Sequence, residues 1–185
     1  MGTRNLTIVL DERGKEIVNI YGQFDGYPSG QGAKLKSFLD GFVIVNGYTG
    51  EDEKRPKCAN GMGCLAAQLI AHLKMGDPKR QGLCSSYHIE APGEREMGEE
   101  YIYTIYLPID NLEEYYRWDE EYELVREGKN FVRKKKASKP RPKLHMKIQS
   151  GRMTAFGLPG TPPDQMKTLY DGPVEDFDHE KVERR

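Results

Sequence analysis

The chain has little cysteine, a single tryptophan, almost no net charge and no long hydrophobic run, and each shortage excludes something. The three cysteines, Cys58, Cys64 and Cys84, are an odd set without the spacing of a small secreted scaffold. A disulfide framework is therefore not expected, and reduced thiols in the cytoplasm fit better. A zinc site assembled from Cys58 and Cys64 with His72 or His88 would need an unusual C-x5-C pair. No metal and no cofactor are expected. The longest apolar-rich stretch, Met62 to Leu73, is far short of the roughly 20 residues a bilayer requires, and it carries Gln68 and His72. The opening Met1-Gly-Thr-Arg-Asn-Leu-Thr7 has no apolar core of a secretory signal. No membrane partner is expected.

Apolar residues make up 37% of the 185, below the usual share of roughly 45–50%, and charged residues make up 31%. Eleven tyrosines and six phenylalanines nevertheless supply large side chains for a core, so the composition does not describe a disordered chain.

The periodicities predict a single α+β domain over 1–149 with a mainly antiparallel sheet and two helices packed on it. Leu6 to Leu10, the turn Asp11-Glu-Arg-Gly14 and Glu16 to Tyr21 read as a hairpin. Leu35, Phe38 and Leu39 give a short helix stopped at Gly41, and Phe42 to Val45 reads as a strand. The segment from Asn46 to Ala59 reads as a charged, exposed loop. Asn60 is the expected N-cap of the stronger helix, which runs to about Met75. Met62, Leu65, Ala66, Leu69 and Leu73 share one of its faces. Cys64, Ala67 and Ala71 make the other small and apolar, which predicts burial nearly all round. Further strands are expected at Ser85 to Ala91, Tyr101 to Ile109 and Leu144 to Gln149, with a hairpin over Tyr122 to Lys135. The prolines and glycines of 150–185 predict an extended, weakly structured tail.

The near-zero net charge hides a division. Residues 94–127 hold twelve acids against three bases, and residues 129–147 hold nine bases and no acid. The basic stretch is available as a phosphate-backbone stripe, making a protein or nucleic-acid interaction module one reading of the molecule. Pairing of acidic and basic strands across one hairpin is the other, and their closeness in sequence favours it.

The densest signal is Tyr21-Gly-Gln-Phe-Asp-Gly-Tyr-Pro-Ser-Gly-Gln-Gly32, between a strand and a helix. It matches neither a Walker A loop nor the dinucleotide fingerprint. Glycine allows backbone to approach a ligand closely, and N–H groups at the first helical turn, around Gly30 to Gly32, attract an anion. Tyr21, Gln23, Asp25, Tyr27, Ser29 and Gln31 add the aromatic faces, amides and carboxylate that a base or ribose needs. Arg4, at the start of the neighbouring strand, is a charge partner for a phosphate. The alternative is an Ω-like loop whose glycines only permit a tight path.

That loop and the opening motif resemble a family of bacterial, archaeal and phage proteins, with related openings in fungi. Asn60-Gly-Met-Gly-Cys-Leu-Ala-Ala-Gln-Leu69 and Gly98-Glu-Glu-Tyr-Ile-Tyr-Thr-Ile-Tyr106 are similar to the family's middle segment. The resemblance spans roughly the first 107 residues and carries over no activity and no catalytic residue. What it implies is occurrence in phages, and with it a role in the contest between phage and host.

Catalytic motifs are scarce. An N-terminal nucleophile fails because removal of Met1 exposes Gly2, and no G-x-S-x-G elbow is present. Asp25 with Glu99, Glu100 or Asp110 would suit metal-assisted hydrolysis, but no spacing ties them together. The leading expectation is a binding protein for a small anionic, nucleotide-like ligand. Its site would be Arg4, Tyr21, Gln23, Asp25, Tyr27, Ser29, Gly30, Gln31 and Gly32, and a nucleotide or phosphoester hydrolase using the same loop is the alternative.

Overall fold

A hairpin starts the sheet. β1 (Asn5–Leu10) and β2 (Glu16–Gly22) pair antiparallel, with Leu6 opposite Tyr21 and Ile8 opposite Asn19. Their turn is closed by the Asp11 carboxylate, which accepts from the N–H groups of Arg13 and Lys15 at 2.8 Å each. This computed structural model describes residues 2–45, 57–75, 87–95, 97–117, 122–135, 141–151, 161–162 and 164–184.

Around the hairpin six strands form one sheet in the order β10-β9-β6-β1-β2-β5. β5 is Tyr87–Glu90, β6 Tyr101–Tyr106, β9 His145–Ser150 and β10 Lys167–Pro173. Only β1 against β6 runs parallel, so the sheet is mixed and mainly antiparallel. The α+β class expected from the periodicities holds. Two smaller ladders stand apart from it: β3 (Val43–Val45) parallel with β4 (Cys58–Asn60), and β7 (Tyr122–Glu127) antiparallel with β8 (Asn130–Lys135).

The main core lies on one face, where Val9, Val18, Ile20, Tyr103, Ile105, Met146 and Ile148 meet the helices. Strand alternation puts Leu6, Ile8, Tyr21 and Ile102 in a smaller cluster on the other face, with Met166. α1 (Ala33–Leu39) buries Leu35 and Leu39, and α2 (Gly61–Met75) buries Met62, Leu65, Ala66, Leu69 and Leu73, each at most 8% exposed. α2 is strongly buried along that face but not all round. Gly63, Ala67 and Ala71 are exposed with His72 and Lys74, because one sheet face can cover only one side of a helix. Asn60 is the last residue of β4, and the first-turn N–H of Met62 donates to Glu12 Oε1 at 2.7 Å. The hairpin turn thus satisfies one of the first-turn donors of α2. Cys58 and Ala59 lie buried in β4 rather than in an exposed loop, because pairing with β3 turns them into the core. Residues 46–56 and Cys84 lie outside the described residues.

Two stretches carry elements that were not anticipated. α3 (Leu112–Arg117) begins where Asn111 Oδ1 accepts from the Glu114 N–H, and it buries Tyr115. At the C-terminus the expected weakly structured tail gives way to β10, a 3-10 turn at Val174–Asp176 and α4 (His179–Glu183). Val174, Phe177 and Val182 are at most 4% exposed. Proline marked this stretch as irregular, but β10 is an edge strand, where Pro173 at its end leaves no ladder bond unmade.

The hairpin of β7 and β8 forms as expected and sets Glu123 opposite Lys134. Among the described residues no helix is long and apolar enough to cross a membrane.

Candidate functional site

Leaving β2 at Gly22, the chain runs through a loop that is fastened at every glycine-rich step. The Gly26 N–H donates to the Thr3 carbonyl at 2.9 Å, and the Gly26 carbonyl accepts from the buried Tyr103 hydroxyl at 2.7 Å. Asp25 takes φ +55°, the left-handed region. Its carbonyl accepts from the Gln31 N–H at 2.7 Å, and a Cβ on Gly30 would lie 2.2 Å from that same oxygen. Glycine at position 30 is thus what lets the loop close on itself. Pro28–Gly32 forms a single π-helical turn that continues into α1. Such turns are rare and concentrate at functional sites.

The loop is also held from beneath. Gln31, fully buried, donates from Nε2 to Thr7 Oγ1 at 3.1 Å and accepts at Oε1 from the Tyr87 hydroxyl at 2.6 Å. Burial pushes the Tyr87 phenol up to about 12, and the Asp25 charge adds to it.

This packing overturns one expectation. The N–H groups around Gly30 to Gly32 do not face an anion. Gly30 donates to the Tyr27 carbonyl, Gln31 to that of Asp25, and Gly32 toward the Tyr103 phenol oxygen. The reason is general: a loop packed on a core must pair its own backbone donors. The remaining donor, the Ser29 N–H, meets Glu183 Oε1 from α4 at 2.7 Å, and the Ser29 hydroxyl together with that N–H holds the Glu183 carboxyl below its ordinary range.

The nine residues singled out from the sequence separate into three groups. Asp25, Tyr27, Ser29 and Gly30 line an open depression of about 410 Å³, completed by Lys34 and Ser37 of α1 and His72 of α2. Gln31 and Gly32 are buried below it. Tyr21 and Gln23 belong to the opposite side of the sheet. There the Tyr21 hydroxyl donates to Gln23 Oε1 at 2.5 Å, and the ring lies 4.6 Å from that of His88. Burial raises the Tyr21 phenol, and the charge of Arg4 partly offsets it. Arg4 therefore accompanies Tyr21 rather than the depression.

Within the depression the groups are accessible and weakly engaged. The Asp25 side chain is 56% exposed, with Lys34 Nζ 4.0 Å from Oδ2 and the Tyr27 hydroxyl 3.3 Å from Oδ1. The Asp25 charge raises the Tyr27 phenol. His72 stacks on Phe38 at 4.4 Å and 18°, and burial with the nearby Lys57 charge lowers it. The His72 imidazole thus favours its neutral form. The sequence could have offered Lys34 and Ser37, which follow Gly30 at helical spacing of four and seven residues. Nothing local announces His72 or Glu183, since both arrive through the tertiary fold. Among the described residues no cluster of three or more His, Cys, Asp or Glu is arranged to hold a metal ion.

Compared with protein-family models, with curated proteins and with solved structures, the chain matches none of them.

Proposed function

We propose that this protein binds a small nucleotide-like ligand in the depression between the glycine loop, α1 and α2. The observation that carries the reading is a left-handed Asp25 and a π-helical turn, buttressed by buried bonds from Gln31 and Tyr103, that present weakly engaged polar groups to an open recess. Backbone held in sparsely populated conformations clusters where a surface must be shaped for a partner. Tyr27 and His72 offer ring faces, Asp25 an acceptor and Lys34 a cation. A planar heterocycle with hydrogen-bond donors uses the first three, and a negative group uses Lys34. A protein of this kind acts by withdrawing its ligand from solution. The resemblance to phage proteins makes signalling nucleotides, cyclic ones included, the first class to try.

The test is a thermal-shift panel of nucleosides, nucleotides and cyclic nucleotides, followed by isothermal titration of the best responder. Saturation at about 100 times Kd adds roughly 2.7 kcal/mol of stability, enough to move the melting midpoint visibly. Tyr27→Ala and Lys34→Gln should each weaken binding while leaving the unliganded midpoint nearly unchanged. A panel in which no compound moves the midpoint sinks the proposal.

A further inference from the structure

The two edges of the main sheet are finished differently. β10, at one edge, carries a register shift between Thr168 and Tyr170 and ends in Pro173, features that discourage another strand from adding on. β5, at the other edge, pairs with β2 in unbroken register from Tyr87 to Glu90 and, among the described residues, has no strand on its outer side. The chain that follows β5 turns onto the sheet face opposite the helices. There Asn19 Nδ2 donates to the Ala91 and Glu94 carbonyls, and the Glu16 carboxylate holds the Gly93 N–H and the Arg95 guanidinium. At the near end Lys74 of α2 donates to the Tyr87 carbonyl at 3.1 Å, so the stretch available to a new strand is His88-Ile89-Glu90.

The side chains of that stretch are complementary to themselves. Ile89, on the helix face with its register partner Ile20, is 58% exposed. Met75, next to the Lys74 that reaches β5, is 57% exposed. On the opposite face His88 Nε2 lies 2.7 Å from Glu90 Oε1, and the His88 side chain is half exposed. An antiparallel two-fold through Ile89 sets Ile89 against Ile89 on one face. On the other it sets His88 against Glu90 of the second copy, twice over. A register one residue away would set His88 against Ile89 and lose both matches.

We infer that β5 is a homodimerisation edge, to which a second copy of this chain adds its own β5 antiparallel about Ile89. The inference does not depend on what the depression binds. A ladder of three residues falls short of the roughly 1,200–2,000 Å² of a stable specific interface, so the dimer is weak and forms as concentration rises.

Sedimentation equilibrium of the full chain from about 1 μM to about 1 mM tests it. The weight-average mass should climb from that of one chain toward that of two and no further, because a two-fold contact closes on itself. Ile89→Lys should hold the mass at one chain throughout. His88→Glu and Glu90→Lys should each weaken association at least about tenfold, since the two-fold places each change in two pairs at once. An equimolar mixture of those two variants should regain the parent's association. Its heterodimer sets the new carboxylate against the new ammonium and keeps one native pair of His88 with Glu90. Ile89 and His88 are more than half exposed, so the unfolding midpoints of Ile89→Lys and His88→Glu should stay near the parent's. A chain monomeric over the whole range overturns the inference. So does a dimer that Ile89→Lys leaves unchanged, which places the contact elsewhere, or one that the mixture fails to restore, which removes the register.

Discussion

At Gly30 a methyl group has nowhere to go. The Cβ position lies 2.2 Å from the Asp25 carbonyl oxygen, which is backbone and cannot swing aside. Gly30→Ala should cost about 1–3 kcal/mol in chemical denaturation, as overpacking does, and should weaken ligand binding because Asp25 is displaced. Gly63 is the opposite case. It sits in the first turns of α2 at ordinary φ, is exposed, and has nothing within 4 Å of its Cβ position. Gly63→Ala should stabilise toward the lower end of roughly 0.5–1 kcal/mol. Equal effects at the two positions would refute the account of the loop. In the sequence both are glycines in glycine-rich stretches, and only the tertiary neighbours tell them apart. Gln31 teaches the same lesson. Its side chain was legible as a hydrogen-bonding group, but whether it turned to a ligand or to Thr7 and Tyr87 depended on strands far along the chain. Glu99 offers a pH-linked test. It is 3% exposed, and burial raises its carboxyl although the Met97 N–H donates to it at 3.1 Å. A carboxyl held above its unfolded value costs the fold stability at pH values where it must ionise, so stability should fall as pH rises from the ordinary carboxylate range through the raised value. Glu99→Gln keeps an acceptor for Met97 and removes the buried charge. Its melting midpoint at pH 7 should exceed that of the parent, and the gain should vanish in acid.

Among the elements, the C-terminal segment does most to hold the candidate site in place. Phe177 is 1% exposed and its ring contacts the space above Gly32, while Lys36 Nζ of α1 donates to the Phe177 and Glu175 carbonyls. Phe177→Ala should cost about 3–5 kcal/mol, the range for deleting a buried aromatic, and should loosen the loop with it. Hydrogen bonding from the Ser29 hydroxyl and N–H to Glu183 adds a pH-sensitive fastening. Because the folded carboxyl lies below its ordinary value, the contribution is present above the unfolded pKa and is lost as pH falls through the folded one. The Ser29 amide resonance should follow a titration with a midpoint below that of a free glutamate. A midpoint at or above the free value would remove Glu183 from this role. None of this was legible from the tail's composition. Strand signals there compete with proline and glycine, and α4 spans only five residues, capped by the Asp178 carboxylate. The long helix was legible in place and length, since its buried face keeps helical spacing. Its exposed face was not, because alanine and glycine read alike whether covered or open.

Across the whole molecule, the arrangement that creates the site is non-local. β1 sits inside the sheet, paired on one side with β2 and on the other with β6, so Asn5 stands beside Tyr101. Hairpins announce themselves by short alternating runs around a turn, which is why β1 with β2, and β7 with β8, could be read from the sequence. The parallel β1 and β6 pair has no local signature, and it is this pair that brings Tyr103 under the loop to donate to the Gly26 carbonyl. The acidic and basic segments meet as the hairpin of β7 and β8, which among the described residues forms a two-stranded ladder with no backbone pairing to the main sheet. A two-stranded ladder on its own is marginal in water, whereas a strand bonded on both sides opens only with the domain. Amide hydrogen exchange should therefore rank the backbone. Residues of β1 and β6 should exchange slowest, at rates near global unfolding, and those of β7 and β8 should exchange orders of magnitude faster. The sequence puts acids in β7 and bases in β8, which predicts a salt dependence: raising ionic strength should speed exchange in the hairpin and leave β1 unaffected. Protection in β7 and β8 equal to that of β1, and insensitive to salt, would mean that the hairpin is locked to the sheet by packing, and the separation of the molecule into a rigid sheet and a weaker charged hairpin would fail.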